Sequence, residues 1–254
     1  MQHSMRFSGR ILEKVYLSLI ESRKMMYYKE CGSKDGQLFV FIHGGFTTHE
    51  SFRKQYNLLP DQRMVFVDLP GCGKSTLEST QSFSFEGAAY EIMKLIEKLS
   101  PNRKVILIAH SYGGLVVKEI LMKIPDRIEK IIIGSTNIQK NLLFWSYTRK
   151  IGCCILWKQN RERYVREQIS WKCVCDMQRD AWRQFDLSSL KRNAQIKCLF
   201  LYAERDIKEI RDSMKLWKEK FPNCILYKVP KSGHNYFWDM PEIVNPLIVD
   251  FCKY

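Results

Sequence analysis

The sequence predicts an α/β domain built on a mostly parallel sheet of about eight strands that is flanked by helices. Six short apolar runs rich in β-branched residues predict buried strands, because their apolarity is continuous rather than alternating. These runs lie at 37–44, 63–70, 104–111, 129–135, 197–204 and 224–230. Helical patterns separate the runs, and strands that alternate with helices predict right-handed crossover connections.

The helices are predicted from apolar periodicity. Residues 84–99 place six apolar side chains on one helical stripe, and residues 114–124 and 207–221 also have helical patterns with a proline close by. The start of the chain differs, because residues 15–22 and 24–32 are both suited to an antiparallel hairpin that leads into the sheet. This hairpin completes the predicted eight strands.

Composition and charge exclude several classes of protein. A chain of 254 residues with 45% hydrophobic residues suits one large α/β domain. The net charge of +14 permits attraction to nucleic acid, anionic membranes or acidic ligands. No nucleic-acid-binding motif accompanies it, so a solvated basic surface is predicted. The longest apolar stretch, 105–117, is too short to span a membrane, and no secretory signal pattern is present, so we expect a cytoplasmic protein.

The nine cysteines are predicted to be thiols, since the cytoplasm is reducing. Two close pairs occur, Cys153-Cys154 and Cys173-x-Cys175, but neither has a histidine nearby to complete a zinc site. We therefore expect mostly buried small side chains and no metal.

Residues 136–195 interrupt the alternation of strands and helices. This segment has no buried-strand run, and it holds twelve Lys or Arg against five Asp or Glu, a net charge of +7. It is too long for a plain loop and is predicted to be a helical cap, or lid, with residues 1–135 and 196–254 as the core. Its four tryptophans, Trp145, Trp157, Trp171 and Trp182, either hold the cap on the core or line an apolar substrate pocket. A cationic, tryptophan-rich cap is also compatible with weak contact with a membrane surface or with attraction of an anionic substrate.

A serine between a predicted strand and a predicted helix is the first candidate for chemistry. In "LIAHSYGGL", Ser111 follows a buried run directly. A G-x-S-x-G turn lifts a serine hydroxyl to the sheet edge, and its small residues let strand and helix approach each other. Ala109 replaces the first glycine here. Ser111 on its own could be an ordinary helix cap, so the prediction of a nucleophile depends on its partners.

An acid and a histidine follow Ser111 in the expected order. Asp206 lies just past a predicted strand, and His234 follows the last one. In this arrangement His234 takes the proton of Ser111 and Asp206 orients the imidazole. Glu204 and Asp212 compete for the role of the acid. Glu204, however, lies near the last residues of the strand, and Asp212 lies a full helical turn beyond the loop that must hold the acid.

A glycine-rich turn, "FIHGGF", follows the first buried run and predicts an oxyanion hole. The backbone N–H of Gly45 is one predicted donor, with Phe46 as its competitor, and the N–H of Tyr112 is the other. His43 is expected to brace this turn and His110 to pack behind Ser111. Phe46, with the cap residues Trp145 and Trp157, is predicted to line the substrate pocket.

The stretch "VFVDLPGCGKST" ends in GKS, as a phosphate-binding P-loop does. A P-loop requires glycine at the first of eight positions, and Asp68 stands there instead. The residues after it are polar and do not predict the helix whose N-terminus would hold phosphate. Lys74 and Ser75 are therefore predicted to be surface turn residues.

Together these motifs resemble the α/β-hydrolase superfamily, in the branch with a helical cap after the sixth strand. The resemblance runs from about residue 15 to the C-terminus and is carried by HGG (43–45), DLPGCGKS (68–75), AHSYGG (109–114), YAERD (202–206) and SGH (232–234). It implies a Ser111–His234–Asp206 triad that hydrolyses an ester-like small molecule and needs no cofactor. The same resemblance is compatible with peptidase, thioesterase, C–C hydrolase and acyltransferase activities, or with a ligand-binding protein of little turnover.

Overall fold

A computed structural model of the chain describes residues 26–77, 80–139, 154–155 and 157–253. Seven strands form one sheet in the order β1-β3-β2-β4-β5-β6-β7. They are β1 (Tyr28–Gly32), β2 (Leu38–Ile42), β3 (Arg63–Val67), β4 (Val105–His110), β5 (Ile128–Gly134), β6 (Lys197–Ala203) and β7 (Cys224–Val229). β1 is antiparallel to β3 and the other pairs are parallel, which confirms the predicted α/β class with a mostly parallel sheet. The predicted strand at 15–22 lies outside the described residues.

Helices accompany the sheet in the described residues, and six of them have both ends described. They are α1 (Phe85–Leu99), α2 (Gly113–Lys123), α3 (Trp171–Gln184), α4 (Lys208–Lys220), α5 (Tyr236–Asp239) and α6 (Pro241–Lys253). A 3-10 helix spans His49–Gln55, and residues 157–166 are also helical. The side chains of Ser84 and Ser170 accept the backbone N–H groups of Gly87 and Cys173, and these caps fix where α1 and α3 begin.

Both faces of the sheet are buried. Val40 and Leu107 belong to the core cluster on one face, which also includes apolar residues of α1, α2 and α4. Phe41 and Ile108 point to the other face, where α6 and the 3-10 helix contribute. Strands covered on both faces account for the continuous apolar runs of the sequence.

The carboxyl ends of the parallel strands meet at one edge of the sheet. Ser111 follows β4, Ser135 follows β5, Asp206 lies three residues past β6, and His234 follows β7 in the chain. Because β4, β5, β6 and β7 are neighbours in the sheet, side chains far apart in the sequence come together at this edge.

The described part of 136–195 contains helical residues at 157–166 and 171–184, and it contacts the rest of the chain through buried polar groups. Asp176 in α3 accepts the backbone N–H of Phe83 at 3.2 Å, and the Lys118 ammonium in α2 donates to the Gln184 carbonyl at 2.9 Å. Trp157 and Trp182 are partly buried against the core, whereas Trp171 is 39% exposed. Trp145 lies outside the described residues, and the division into core and cap stays a prediction.

Candidate active site

Ser111 occupies a tight turn between β4 and α2. Its φ of 52° lies in the left-handed region, which is uncommon for any residue except glycine. The neighbouring glycines are needed for close approach: a Cβ on Gly113 would lie 2.3 Å from the carbonyl oxygen of Ile42, and one on Gly44 would lie 3.1 Å from Cβ of Ser111. Strand, turn and helix are therefore packed closely enough that the Ser111 backbone is held in a strained conformation.

The structure brings the three predicted triad residues together. Nε2 of His234 lies 3.0 Å from Oγ of Ser111, and Nδ1 of His234 lies 2.8 Å from Oδ1 of Asp206. The two competing acids have other partners. Glu204 pairs with Lys228 at the surface, and Asp212 bridges the ammonium groups of two lysines within α4.

The second carboxylate oxygen of Asp206 is also bound. Oδ2 accepts hydrogen bonds from Oγ of Ser135 at 2.5 Å and from the backbone N–H of Ala203 at 2.8 Å. Burial raises the pKa of Asp206, but the hydrogen bonds from His234, Ser135 and Ala203 outweigh burial, and the pKa lies below its usual value. The carboxylate is thus held ionised and in one orientation. Sequence reasoning did not single out Ser135, although its place at the end of a strand beside β6 is the signal that could have found it.

His110 supports the backbone of His234. Its buried ring donates from Nε2 to the carbonyl oxygen of His234 at 2.8 Å, and the two ring centres are 4.8 Å apart. Burial, with a contribution from His234, lowers the pKa of His110 to about 3, so the ring is neutral near pH 7. A neutral ring that donates from Nε2 carries no proton on Nδ1. His110 therefore packs behind Ser111, as expected, and also holds the loop that carries His234.

The glycine-rich turn lies directly beside Ser111 and Tyr112. His43 is buried and accepts the N–H of Leu69 at Nε2 (2.9 Å), so its Nδ1–H donates to the Gly44 carbonyl (2.7 Å). A Cβ on Gly45 would lie 2.5 Å from the Tyr112 ring. His43 thus ties the turn to the segment after β3. The role of the N–H groups of Gly45 and Tyr112 as oxyanion donors stays a prediction.

Aromatic rings continue from this turn into the segment 136–195. Phe46 has a φ of 60°, and its ring centre lies 5.8 Å from that of Tyr112 and 6.3 Å from that of Tyr164. Trp157 in turn lies 5.5 Å from Tyr164. Of the predicted pocket residues, Phe46 is therefore next to the candidate site, Trp157 reaches it through Tyr164, and Trp145 is outside the described part of the chain.

The GKS turn has no free backbone donors for a phosphate. All five N–H groups of residues 71–75 are donated within the chain, to the Ser75 carbonyl, the Leu69 carbonyl, the Glu167 carbonyl, the Asp68 carboxylate and the Cys72 carbonyl in that order. Lys74 is exposed, as predicted. The prediction that Ser75 is a surface residue is wrong, because its buried hydroxyl accepts the backbone N–H of Tyr27 at 2.8 Å.

A second buried histidine–carboxylate pair, which the sequence did not indicate, stabilises the same turn. Asp68 accepts both the backbone N–H and the Nδ1 of His49, at 2.8 and 2.7 Å. None of these hydrogen bonds joins Asp68 to Ser111. Its position joins the segment after β2 to the segment after β3, which is a structural role.

The described residues contain no group of three or more His, Cys, Asp or Glu side chains that could hold a metal ion. Within these ranges, no helix has both the length and the apolarity that a membrane span requires. Eight cysteines lie in the described ranges, and none of the eight is in a disulfide.

Comparison with known proteins agrees with this geometry. Residues 37–152 match the alpha/beta hydrolase fold family. The pFDCC methylesterase MES16 of Arabidopsis thaliana is 35% identical over 236 residues, which cover 80% of this chain and 89% of that protein. A pimeloyl-[acyl-carrier protein] methyl ester esterase of Yersinia enterocolitica is 24% identical over 91% of this chain and 98% of that protein.

Solved structures show the same fold at low sequence identity. A thermophilic esterase from Thermogutta terrifontis superposes with a TM-score of 0.74 at 18% identity, covering 90% of this chain and 93% of that one. A putative non-heme bromoperoxidase of Mycobacterium tuberculosis superposes with a TM-score of 0.76 at 17% identity, covering 91% of this chain and 96% of that one. The chain therefore belongs to the α/β-hydrolase superfamily. Within that superfamily it is an enzyme of the esterase-like hydrolase class.

Proposed function

We propose that the protein hydrolyses carboxylic esters of small molecules, with Ser111 as the nucleophile. The observation that carries the proposal is the pair of contacts made by one imidazole, 3.0 Å from Nε2 of His234 to Oγ of Ser111 and 2.8 Å from Nδ1 to Oδ1 of Asp206. An imidazole so placed can remove the serine proton while the carboxylate stabilises the charge that forms.

The reaction proceeds in two steps. Oγ of Ser111 attacks the ester carbonyl as its proton passes to Nε2 of His234, and that proton then leaves with the alcohol, which yields an acyl-enzyme. Water next attacks the acyl-enzyme, gives a proton to His234, and releases the acid as the proton returns to Ser111. The backbone N–H groups of Gly45 and Tyr112 hold the oxyanion in both steps. No cofactor takes part.

Residues 136–195 form the cap above this site, and residues 1–135 and 196–254 form the core. The contacts of α3 with α2 and with Phe83, just before α1, support this division. In this fold a cap that faces the strand ends shapes the substrate pocket. Phe46 and Trp157 line that pocket.

The proposed bond is an ester rather than an amide, thioester or C–C bond. Two relatives that align over most of their length are named a methylesterase and a methyl ester esterase, and their names favour an ester with a small alcohol. We also propose that the enzyme is cytoplasmic, as the sequence predicts.

A fluorophosphonate probe tests the nucleophile without a known substrate. We expect a single rapid adduct on Ser111, located by intact and peptide mass, and its loss in Ser111→Ala. Hydrolysis of a p-nitrophenyl ester should be lost in the same variant. A folded protein that reacts with neither reagent would contradict the proposal and would favour a ligand-binding protein with little turnover.

A further inference from the structure

One arginine in the segment 136–195 reaches the glycine-rich turn. Arg163 lies in the helical residues 157–166, and its Nη2 donates to the carbonyl oxygen of Phe46 at 3.3 Å. Its guanidinium carbon lies 5.1 Å from the centre of the Tyr164 ring, which itself contacts Phe46. Since Gly44, two residues before Phe46, abuts Ser111, the guanidinium is on the order of 10 Å from the proposed nucleophile.

The guanidinium of Arg163 is not fully paired in the part of the chain that the structure describes. Its Nε is buried and has no hydrogen-bond partner. No carboxylate in the described ranges forms an ion pair with it. A buried donor without an acceptor is unfavourable, and in a native structure such a group calls for an explanation.

Glu167, four residues beyond Arg163 in the chain, does not supply that acceptor. Burial raises the pKa of Glu167, and the charges of Arg163 and Arg166 only partly oppose the effect of burial. The carboxyl group is one helical turn beyond Arg163 and is affected by the charge of Arg163 without an ion pair between them. The guanidinium of Arg163 is therefore left without a paired carboxylate in the described ranges, and an anion from outside the chain could bind to it.

We propose that Arg163 binds a carboxylate of the substrate, so that the preferred esters carry a second, negatively charged group away from the scissile bond. The planar guanidinium presents N–H groups in a fork that matches two carboxylate oxygens. Phe46 accepts only one of these N–H groups. Residues 157–195 contain nine Lys or Arg against five Asp or Glu, and this net charge of +4 favours a negatively charged substrate. This inference rests on the proposed function of Ser111.

The test compares two series of p-nitrophenyl esters of increasing acyl length, one ending in a carboxylate and the other in a methyl group. Wild-type protein should have the higher kcat/KM for the carboxylate at one or more lengths. In Arg163→Gln the ratio of carboxylate to methyl should fall by about tenfold or more, mainly through KM. Arg163→Lys should restore part of the ratio, because it keeps the charge but not the fork. Arg166→Gln removes the same charge from an exposed side chain of the same helical segment and should leave the ratio unchanged.

Binding to a Ser111→Ala protein separates this inference from the proposed hydrolysis. Calorimetry on that variant should show tighter binding of the carboxylate ester than of its methyl counterpart, with the preference lost on adding Arg163→Gln. If the preference is present but wild-type protein does not turn over, the anion site stands and the nucleophile assignment is wrong. If Arg163→Gln weakens both series equally, or if neither preference exists, Arg163 only braces the Phe46 turn and the inference is overturned.

Discussion

Oγ of Ser135 donates a 2.5 Å hydrogen bond to Oδ2 of Asp206. Ser135 directly follows β5 and is buried, so this contact is made in a place that water does not reach. With Ala203 on the same oxygen and His234 on the other, both carboxylate oxygens of Asp206 are engaged. Ser135 thereby holds the Asp206 carboxylate in one orientation. This makes Ser135 a positioning residue for the proposed triad.

Replacing Ser135 by alanine should lower activity in a pH-dependent manner. The hydroxyl is one of the groups that hold the Asp206 pKa down, so its loss raises that pKa and moves the acid limb of the kcat/KM profile to higher pH. We expect about a tenfold loss at neutral pH, in line with loss of a hydrogen bond to a charged group. A pH profile on a p-nitrophenyl ester measures both effects. Ser213→Ala removes a buried hydroxyl whose hydrogen bonds go to Asn137, Ile138 and Glu209 and not to Asp206, so it should not move the profile. A shift in both variants would contradict the prediction.

Two buried histidines should make the fold sensitive to mild acid. Burial lowers the pKa of His43 to about 4 and that of His110 to about 3, from 6.5. Because the folded pKa values are the lower ones, stabilisation is complete above pH 6.5 and is lost as the pH falls toward 4. Each histidine should reduce the free energy of unfolding by about 1.4 kcal/mol per pH unit in that window. Urea unfolding across the window measures the slope, and His110→Gln should reduce it; a free energy that does not change with pH would contradict this account.

A methyl group at Gly113 should damage the turn that holds Ser111. The added Cβ would lie 2.3 Å from the Ile42 carbonyl oxygen, which belongs to a central strand and cannot move aside cheaply. Gly113→Ala should cost about 1–3 kcal/mol of unfolding free energy and reduce turnover. Gly233→Ala is the matched control, because nothing lies within 4 Å of a Cβ built there. Equal stability of the two variants in urea unfolding would mean that strand and helix are less closely packed than described.

Nucleotides should not bind at the GKS turn. A cavity of about 340 Å³ lies beside it, but Lys74 is the only basic residue among those lining it, and Glu91 lines it too. The ammonium of Lys74 already lies 4.6 Å from the centre of the Tyr27 ring. With the turn's N–H groups also donated internally, ATP and GTP should leave the thermal midpoint unchanged. A rise in the midpoint that depends on nucleotide concentration would show that this cavity holds phosphate after all.

The sheet could be predicted from the sequence because both of its faces are buried. Each strand from β2 to β7 lies within a predicted apolar run or begins one residue before it, since the burial that stabilises the strand is also what makes the run apolar. The chain order of Ser111, Asp206 and His234 indicated the site for a similar reason, as each follows its own strand. Sequence patterns do not report contacts between distant polar residues. The hydroxyl of Ser75 accepts from a residue 48 positions away, and Arg163 contacts one 117 positions away, so neither could be foreseen.

The pairing of β5 with β6 fixes both ends of the segment 136–195. Because the two strands are parallel, the segment leaves the sheet after Gly134, at the carboxyl end of β5, and re-enters at Lys197, the amino end of β6, which pairs with Lys130. Once both ends are held in the sheet, each doubling of the length of the connection costs only about 0.6 kcal/mol more. Insertions within the segment could therefore be carried with little cost to the sheet, provided that packing residues such as Val174 and Met177 of α3 are kept. Under that condition, recombination or design could vary the rest of 136–195 while the strands and the Ser111 turn stay the same.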